Sequence, residues 1–162
     1  MKMLALFPAL LLASGSLMAA EQVEHTVTVT AQIPTASFYV QPVGEWINTP
    51  QKLTFNAFSQ QLEPLAKQLE MKSTLGAIKG YLLYPASIIS GNDSIALAVK
   101  VAGVELNTSS KELLNQADAN IGKKVGLEII PAVPPANGYK PGNYQGIVSM
   151  MFESEAPAAP KA

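Results

Sequence analysis

An alternating segment near the start of the chain constrains the fold more than any other feature of the sequence. Between residues 23 and 33, apolar positions alternate strictly with Glu, Thr and Gln, and many of the residues are β-branched. This pattern is typical of a long β-strand with one apolar face. Pro34, which cannot donate a ladder hydrogen bond, ends it. The residues of the apolar face are Val23, His25, Val27, Val29, Ala31 and Ile33.

Short apolar runs bounded by turn residues follow this segment and predict further strands. Many short strands with frequent turns favour a β-sandwich. The segments 67–73 and 78–84 are expected to form a hairpin around Thr74–Gly76. The predicted strands after residue 34 are 37–40, 52–57, 67–73, 78–84, 94–101, 104–106, 124–130 and 144–152.

Two segments carry a helical signal. Residues 62–69 have apolar side chains at helical spacing, but Pro64 argues against a long helix. Ser109 or Ser110 could cap a short helix over residues 111–117, which is expected to be two turns long. Residues 131–141 hold four prolines and one glycine and predict a stiff surface loop. The fold class expected is therefore all-β with one short helix.

The two ends of the chain differ from the middle. Residues 1–20 carry one lysine, an apolar run and small residues, which indicates a signal peptide cleaved after Ala20; a membrane anchor is the alternative. Residues 21–33 form the first strand, and residues 34–152 form the sandwich domain. The Ala/Pro-rich residues 153–162 are expected to be disordered.

The composition argues against most kinds of chemistry. The 162-residue chain has a net charge of −1 and no arginine, which gives no electrostatic case for binding nucleic acid. It has no cysteine, so disulfides and thiolate zinc sites are excluded. Its one histidine, His25, lies in the first strand, and no glycine-rich phosphate loop is present. The sequence therefore predicts neither an enzyme nor a cofactor or metal site.

Two segments together carry a recognisable signature. One is the first strand from Glu24 to its end at Pro34. The other is the segment 141–152, and the stretch 99–113 between them is also similar. The chain resembles the major pilins of the alternate chaperone–usher pathway, which include the coli surface antigen, colonisation factor antigen and cable pilus types. In the second segment the resemblance rests on Gly142, Tyr144, Gly146, Val148 and Phe152.

The resemblance implies an immunoglobulin-like sandwich that lacks one strand and is completed by donor-strand exchange. The first strand would be the donor, and Pro34 would be the junction between donor strand and domain. The implied partners are identical subunits, a periplasmic chaperone, an outer-membrane usher and a tip adhesin. The chain would thus be exported through the periplasm to a surface fimbria that serves adhesion and colonisation.

Two alternatives stay open from the residues themselves. The first strand could belong to the chain's own sheet instead of a neighbour's. The protein could also be a freestanding secreted carbohydrate-binding module, with Trp46 and Tyr39 as a face on which a sugar stacks; a buried core tryptophan is the competing interpretation.

Overall fold

The computed structural model describes residues 37–154, and within them it contains eleven strands, one α-helix and one short 3₁₀ helix. The helices are Gln116–Ile121 (α1) and the 3₁₀ turn Trp46–Asn48. No helix in this part of the chain is long and apolar enough to cross a membrane. The strands are β1 Phe38–Pro42, β2 Phe55–Asn56, β3 Gln61–Leu62, β4 Leu65–Ser73, β5 Ile78–Leu82, β6 Ser87–Ser90, β7 Asp93–Val101, β8 Val104–Leu106, β9 Lys111–Leu114, β10 Lys123–Pro131 and β11 Met150–Ser154.

The strands form two antiparallel sheets and a small separate hairpin. The larger sheet has the order β1-β4-β10-β7-β6, with β8 also paired to β7. The smaller sheet has the order β11-β5-β9, and β2 and β3 pair with each other. An immunoglobulin domain has strands A, B, E and D in one sheet and C, F and G in the other. By position, β1-β4-β10-β7 corresponds to A-B-E-D and β5-β11 corresponds to C-F.

A single apolar core lies between the two sheets because the buried residues recur at every second position of the long strands. In β4 the buried side chains are Leu69, Met71 and Ser73, and β7 and β10 show the same period of two. Met71 is fully buried. The structure is thus an immunoglobulin-like β-sandwich with one short helix, as the sequence predicts.

The helix lies later in the chain than predicted. Residues 111–114 form β9, and α1 begins only after Asn115, whose side chain accepts a hydrogen bond from the Asp118 amide at 2.9 Å. Both Leu113 and Leu114 are buried, so this stretch lacks the single apolar stripe of a surface helix. The predicted cap at Ser109 or Ser110 is therefore wrong, and Asn115 is the residue that caps the helix.

The predicted hairpin between residues 67–73 and 78–84 is also wrong, although both segments are strands. β4 pairs with β1 and β10, whereas β5 pairs with β9 and β11 in the other sheet. The turn at residues 74–77 therefore carries the chain from one sheet to the other. The helical alternative for residues 62–69 fails because Leu65 already begins β4.

Candidate assembly groove

The outer edges of β1 and β11 lie on the same side of the sandwich. β1 is the edge of the larger sheet, and β11 is the edge of the smaller one. On the far side β8 contacts β9, whereas on the near side Ser154 of β11 reaches Ser73 of β4. Within residues 37–154 no strand pairs with the outer edge of β11, the place that strand G fills in a complete domain.

The inward face of β1 is only partly covered. Phe38 stands opposite Ser73, and Val40 stands opposite Met71. Ser73 and Met71 are both fully buried, but Phe38 and Val40 remain partly exposed although they pack against the core. Since neighbours in one sheet share the same face, the difference shows that cover is incomplete along this edge.

The strand β11 shows the same difference between its own partly buried side chains and the buried residues of its neighbour. Met150 of β11 pairs with Leu82, which is 4% exposed, and Phe152 pairs with the buried Gly80. Met150 and Phe152 pack against the core but are only partly buried. We name the space between β1 and β11 the assembly groove; its apolar lining is Phe38, Val40, Val148, Met150 and Phe152.

One end of the assembly groove is closed by hydrogen bonds between serines. The Oγ atoms of Ser73 and Ser154 lie 2.6 Å apart, and the Ser154 hydroxyl also lies 3.0 Å from the carbonyl oxygen of Ala77. Ser73 Oγ accepts the backbone N–H of Leu75 at 3.1 Å. This network satisfies a buried hydroxyl, and it places the end of β11 beside the start of β1, so the two edges run in opposite directions.

Gly80 sets the position of the Phe152 ring. A Cβ atom at residue 80 would lie 2.8 Å from Leu113 Cδ1 and 3.1 Å from Phe152 Cδ1. Because glycine has no side chain, the Phe152 ring can rest on β5 and form part of the groove floor. This role could not be predicted from the sequence, because Gly80 occupies the inward face of β5 between Ile78 and Leu82 without any other distinguishing feature.

The C-terminal motif residues lie mostly before the last strand. The predicted strand 144–152 is too early, because β11 begins at Met150 and continues to Ser154, two residues past the predicted end of the domain. Before β11 the chain crosses β6, where Gln145 and Ile89 exchange backbone hydrogen bonds of 3.0 and 2.8 Å. The motif therefore combines a crossing segment with a strand end.

The glycines of the motif permit this crossing. A Cβ atom on Gly146 would clash with the carbonyl oxygen of Ser87, and one on Gly142 would meet the Ser90 hydroxyl. Tyr144 donates its hydroxyl to the Lys140 carbonyl oxygen at 3.0 Å. Gly142, Tyr144 and Gly146 thus hold the crossing segment, while Val148 and Phe152 line the assembly groove.

The predicted donor residues and the junction lie outside residues 37–154, as do the signal peptide and residues 155–162 of the tail. The groove lining contributed by β1 was missed from the sequence. The alternation of Phe38 and Val40 indicates a short strand with one apolar face. The same pattern is expected whether or not another strand covers the outer edge of that strand. The predicted donor and junction residues are Val23, His25, Val27, Val29, Ala31, Ile33 and Pro34.

The two aromatic residues considered for sugar stacking have other partners in the structure. Trp46 packs against the core, and its indole N–H points to the Gln68 carbonyl oxygen at 3.4 Å. The Tyr39 hydroxyl lies 3.4 Å from the Glu70 carboxylate. Burial and this carboxylate together raise the Tyr39 pKa above 10.0. In the described part of the chain no group of three or more acidic or histidine side chains could hold a metal ion.

Comparison with known proteins identifies a family model and a similar fold. The family model described as the CS1 type fimbrial major subunit matches residues 23–153. The CooA pilin subunit from enterotoxigenic Escherichia coli has a similar structure, with a TM-score of 0.54 at 15% identity over 70% of this chain and 86% of that one. No curated protein sequence matches the chain.

Proposed function

Because the chain belongs to the family of CS1-type fimbrial major subunits, we propose that it polymerises by placing residues 21–33 in the assembly groove of another copy. Membership of this family makes the protein a structural subunit of a surface fimbria. The observation that carries the proposal is the partly exposed lining of β1 and β11 beside the position of strand G, which no strand of residues 37–154 fills.

The chemistry of the two surfaces is complementary. The groove presents apolar side chains from both β1 and β11, and the segment 23–33 has apolar side chains at every second position. Such a strand buries one face in the groove while its backbone pairs with the edge of β11, which is β-strand addition. Each buried backbone group left unpaired costs about 1–3 kcal/mol, so pairing along five residues of β11 favours assembly strongly.

The direction of the donor strand follows from the requirement that each subunit both accepts one strand and donates another without a clash. β1 begins at the Ser73 end of the groove. In the proposed assembly, the acceptor's own donor segment would therefore leave its domain at that end. A donor strand antiparallel to β11 would end, at Ile33, at the opposite end of the groove. The donor's own domain then meets the end away from the acceptor's departing segment, and the two do not compete for space.

The same logic supports the remaining partners. A subunit with an open apolar groove needs cover before it is assembled, since exposed strand edges promote aggregation. A periplasmic chaperone would supply that cover, an outer-membrane usher would exchange it for the next donor strand, and a tip adhesin would begin the fibre. Adhesion and colonisation are the role proposed for the finished fibre, and no step of it requires catalysis.

The test compares substitutions on the two faces of the donor strand. Val29→Asp buries a charge in the groove, whereas Thr28→Asp places the same charge on the polar face. With the cognate chaperone present, we expect Val29→Asp to abolish surface fibres and Thr28→Asp to retain them. Fibres of normal yield from Val29→Asp contradict donation by this strand.

A further inference from the structure

The sandwich has two poles with different surfaces. The first pole, which we call the α1 pole, contains α1 and the turn 74–76; Gly122 lies against Lys72 there, and Thr74 N–H binds the Ser37 carbonyl oxygen at 2.8 Å. The second pole, the hairpin pole, contains the β2–β3 hairpin and the loop after β10. The nine residues of β4 separate the two poles by about 26 Å.

The hairpin pole presents a fully exposed aromatic ring. Phe58, in the turn between β2 and β3, is 100% exposed. The turn is held by the Asn56 side chain, whose oxygen accepts the backbone N–H groups of Phe58 at 3.0 Å and Ser59 at 3.1 Å. The Phe55 ring at the base of the hairpin packs edge-on against the Tyr139 ring, with the ring centroids 6.4 Å apart. The Phe58 ring is therefore exposed on an ordered turn.

The hairpin keeps this ring at its own pole. Tyr139 donates its hydroxyl to the Ala132 carbonyl oxygen at 2.6 Å, directly after the end of β10. Phe58 follows Phe55 by three positions, so its backbone lies at most about 10 Å from that anchor. Phe58 thus cannot reach the α1 pole of its own subunit.

The α1 pole carries an apolar surface of matching kind. Ile121, at the end of α1, is 80% exposed, and Leu75, in the turn after β4, is 45% exposed. They flank a shallow depression between that turn and α1, lined by Thr74, Asn115, Gln116, Ala117 and Asn120. We name Leu75, Ile121 and this depression the α1 patch.

We propose that Phe58 of one subunit packs on the α1 patch of the subunit that donates its strand. The inference rests on the proposed donor-strand assembly, because an antiparallel donor places its own α1 pole against the acceptor's hairpin pole. The occupant is a second copy of this chain, since both surfaces recur once in every subunit. Such a head-to-tail contact is heterologous and can propagate along a fibre.

This contact would give the fibre a lateral rigidity that a single linking strand cannot supply. The strand alone would join neighbouring domains at a single point. A ring seated beside Ile121 and Leu75 removes apolar surface from water at the same junction, which favours the contact. Neighbouring domains would then be held at two points instead of one.

Engineered cysteines test the contact cleanly because the chain has none of its own. Fibres of the double variant Phe58→Cys/Ile121→Cys are oxidised with copper phenanthroline, then boiled in denaturant to separate strand-linked subunits. A disulfide requires Cα atoms within about 7 Å, which the two poles of one subunit exclude. We expect a ladder of covalent oligomers from the double variant.

Controls separate this inference from the donor-strand proposal. Phe58→Cys/Ile147→Cys carries its second thiol on a residue that is 84% exposed away from the α1 patch, and no ladder is expected. Each single variant should give dimers at most. Normal fibres without a ladder from Phe58→Cys/Ile121→Cys overturn the Phe58 contact alone, whereas failure of the parent chain to form fibres overturns donor-strand assembly and the contact with it.

A substitution provides an independent readout. Phe58→Ser removes the ring from a fully exposed site, so the fold should be unaffected, and Val133→Ser, at a residue 77% exposed in the loop after β10, is the matched control. We expect electron micrographs of Phe58→Ser fibres to show a shorter persistence length than parent and Val133→Ser fibres. Equal persistence lengths in all three contradict the proposed contact.

Discussion

Ser73 Oγ and Ser154 Oγ lie 2.6 Å apart, joining the buried end of β4 to the end of the last strand. Ser73 is the only buried polar side chain among the described residues, and Ser154 lies beyond the domain boundary that the sequence predicts. The bond fixes the edge strand β11 at the closed end of the assembly groove. The groove can therefore keep its shape along an edge that no further strand of residues 37–154 covers.

Truncation of the chain tests this anchor. Ending the chain after Phe152 removes Ser154, leaving the Ser73 hydroxyl without its closest partner and the Ala77 carbonyl without a side-chain donor. Ser73 Oγ still accepts the Leu75 N–H, so the loss is that of a hydrogen bond, which contributes about 0.5–1.5 kcal/mol. We expect fibres of that truncation to melt at a lower temperature than fibres truncated after Ser154. Identical melting curves for the two truncations contradict a role for the serine pair.

Gly80 offers a way to disturb the groove floor. Gly80→Val would push its side chain into Leu113 and Phe152, and overpacking of this kind costs about 1–3 kcal/mol. Gly126→Ala is the matched control, because nothing lies within 4 Å of the added Cβ on that strand. We expect Gly80→Val to reduce fibre yield and Gly126→Ala to leave it unchanged. Parent-like yield from Gly80→Val would show that the Phe152 position is unimportant.

Ala102 occupies a backbone conformation that suits glycine better. It has φ 53° and Gly103 has φ 79°, at the centre of the two-residue turn joining β7 to β8. Such a turn requires positive φ at both positions, and a left-handed conformation costs a non-glycine residue roughly 1–2 kcal/mol. We therefore expect Ala102→Gly to raise, and Gly103→Ala to lower, the denaturant concentration at which fibres dissociate into unfolded chains.

An ion pair holds the proline-rich loop to the β6–β7 hairpin. Lys140 Nζ lies 2.6 Å from an Asp93 carboxylate oxygen, and this hydrogen bond and charge raise the Lys140 pKa above 10.5. Since the folded-state pKa is the higher one, the stabilisation is fully present below pH 10.5 and is lost as the pH rises through the raised pKa.

The ion pair between Lys140 and Asp93 should make part of the protein's stability depend on pH. Asp93→Asn should lower the stability to urea at neutral pH, slightly because both side chains are exposed, and the difference from the parent should shrink above pH 10.5. Lys124→Gln, which removes an exposed lysine elsewhere, should show no comparable convergence. A difference between Asp93→Asn and parent that stays constant through the alkaline range rules out this pair as its source.

The sequence predicts the sandwich well because the buried strands alternate visibly. It fails where pairing depends on contacts between distant segments. The turn after Ser73 is a true reversal, but its residues do not reveal that β5 joins the opposite sheet. The helix was misplaced because Leu113 and Leu114 fit either a buried strand or a helix, and the cap at Asn115 decides between them.

The assembly groove could be predicted only in part. The family resemblance implies that one strand is missing, and the partly exposed side chains of Phe38 and Phe152 mark the edge that the described residues leave incompletely covered. Nothing local in the sequence identifies an uncovered edge, because partial exposure is a property of the packed sheets. The motif glycines are likewise explained by a contact between distant segments, because Gln145 pairs with Ile89 of β6 and a side chain at Gly146 would clash with Ser87.

Mixed-label fibres test the central claim most directly. Fibres grown from equal amounts of subunits labelled only with ¹⁵N and subunits labelled only with ¹³C give ¹⁵N–¹³C solid-state NMR contacts solely between different chains. The account predicts such contacts between residues 27–33 of one chain and residues 150–154 of another. If these segments meet only in fibres of uniformly double-labelled subunits, and never in the mixed fibres, each chain completes its own sandwich and donor-strand assembly is contradicted.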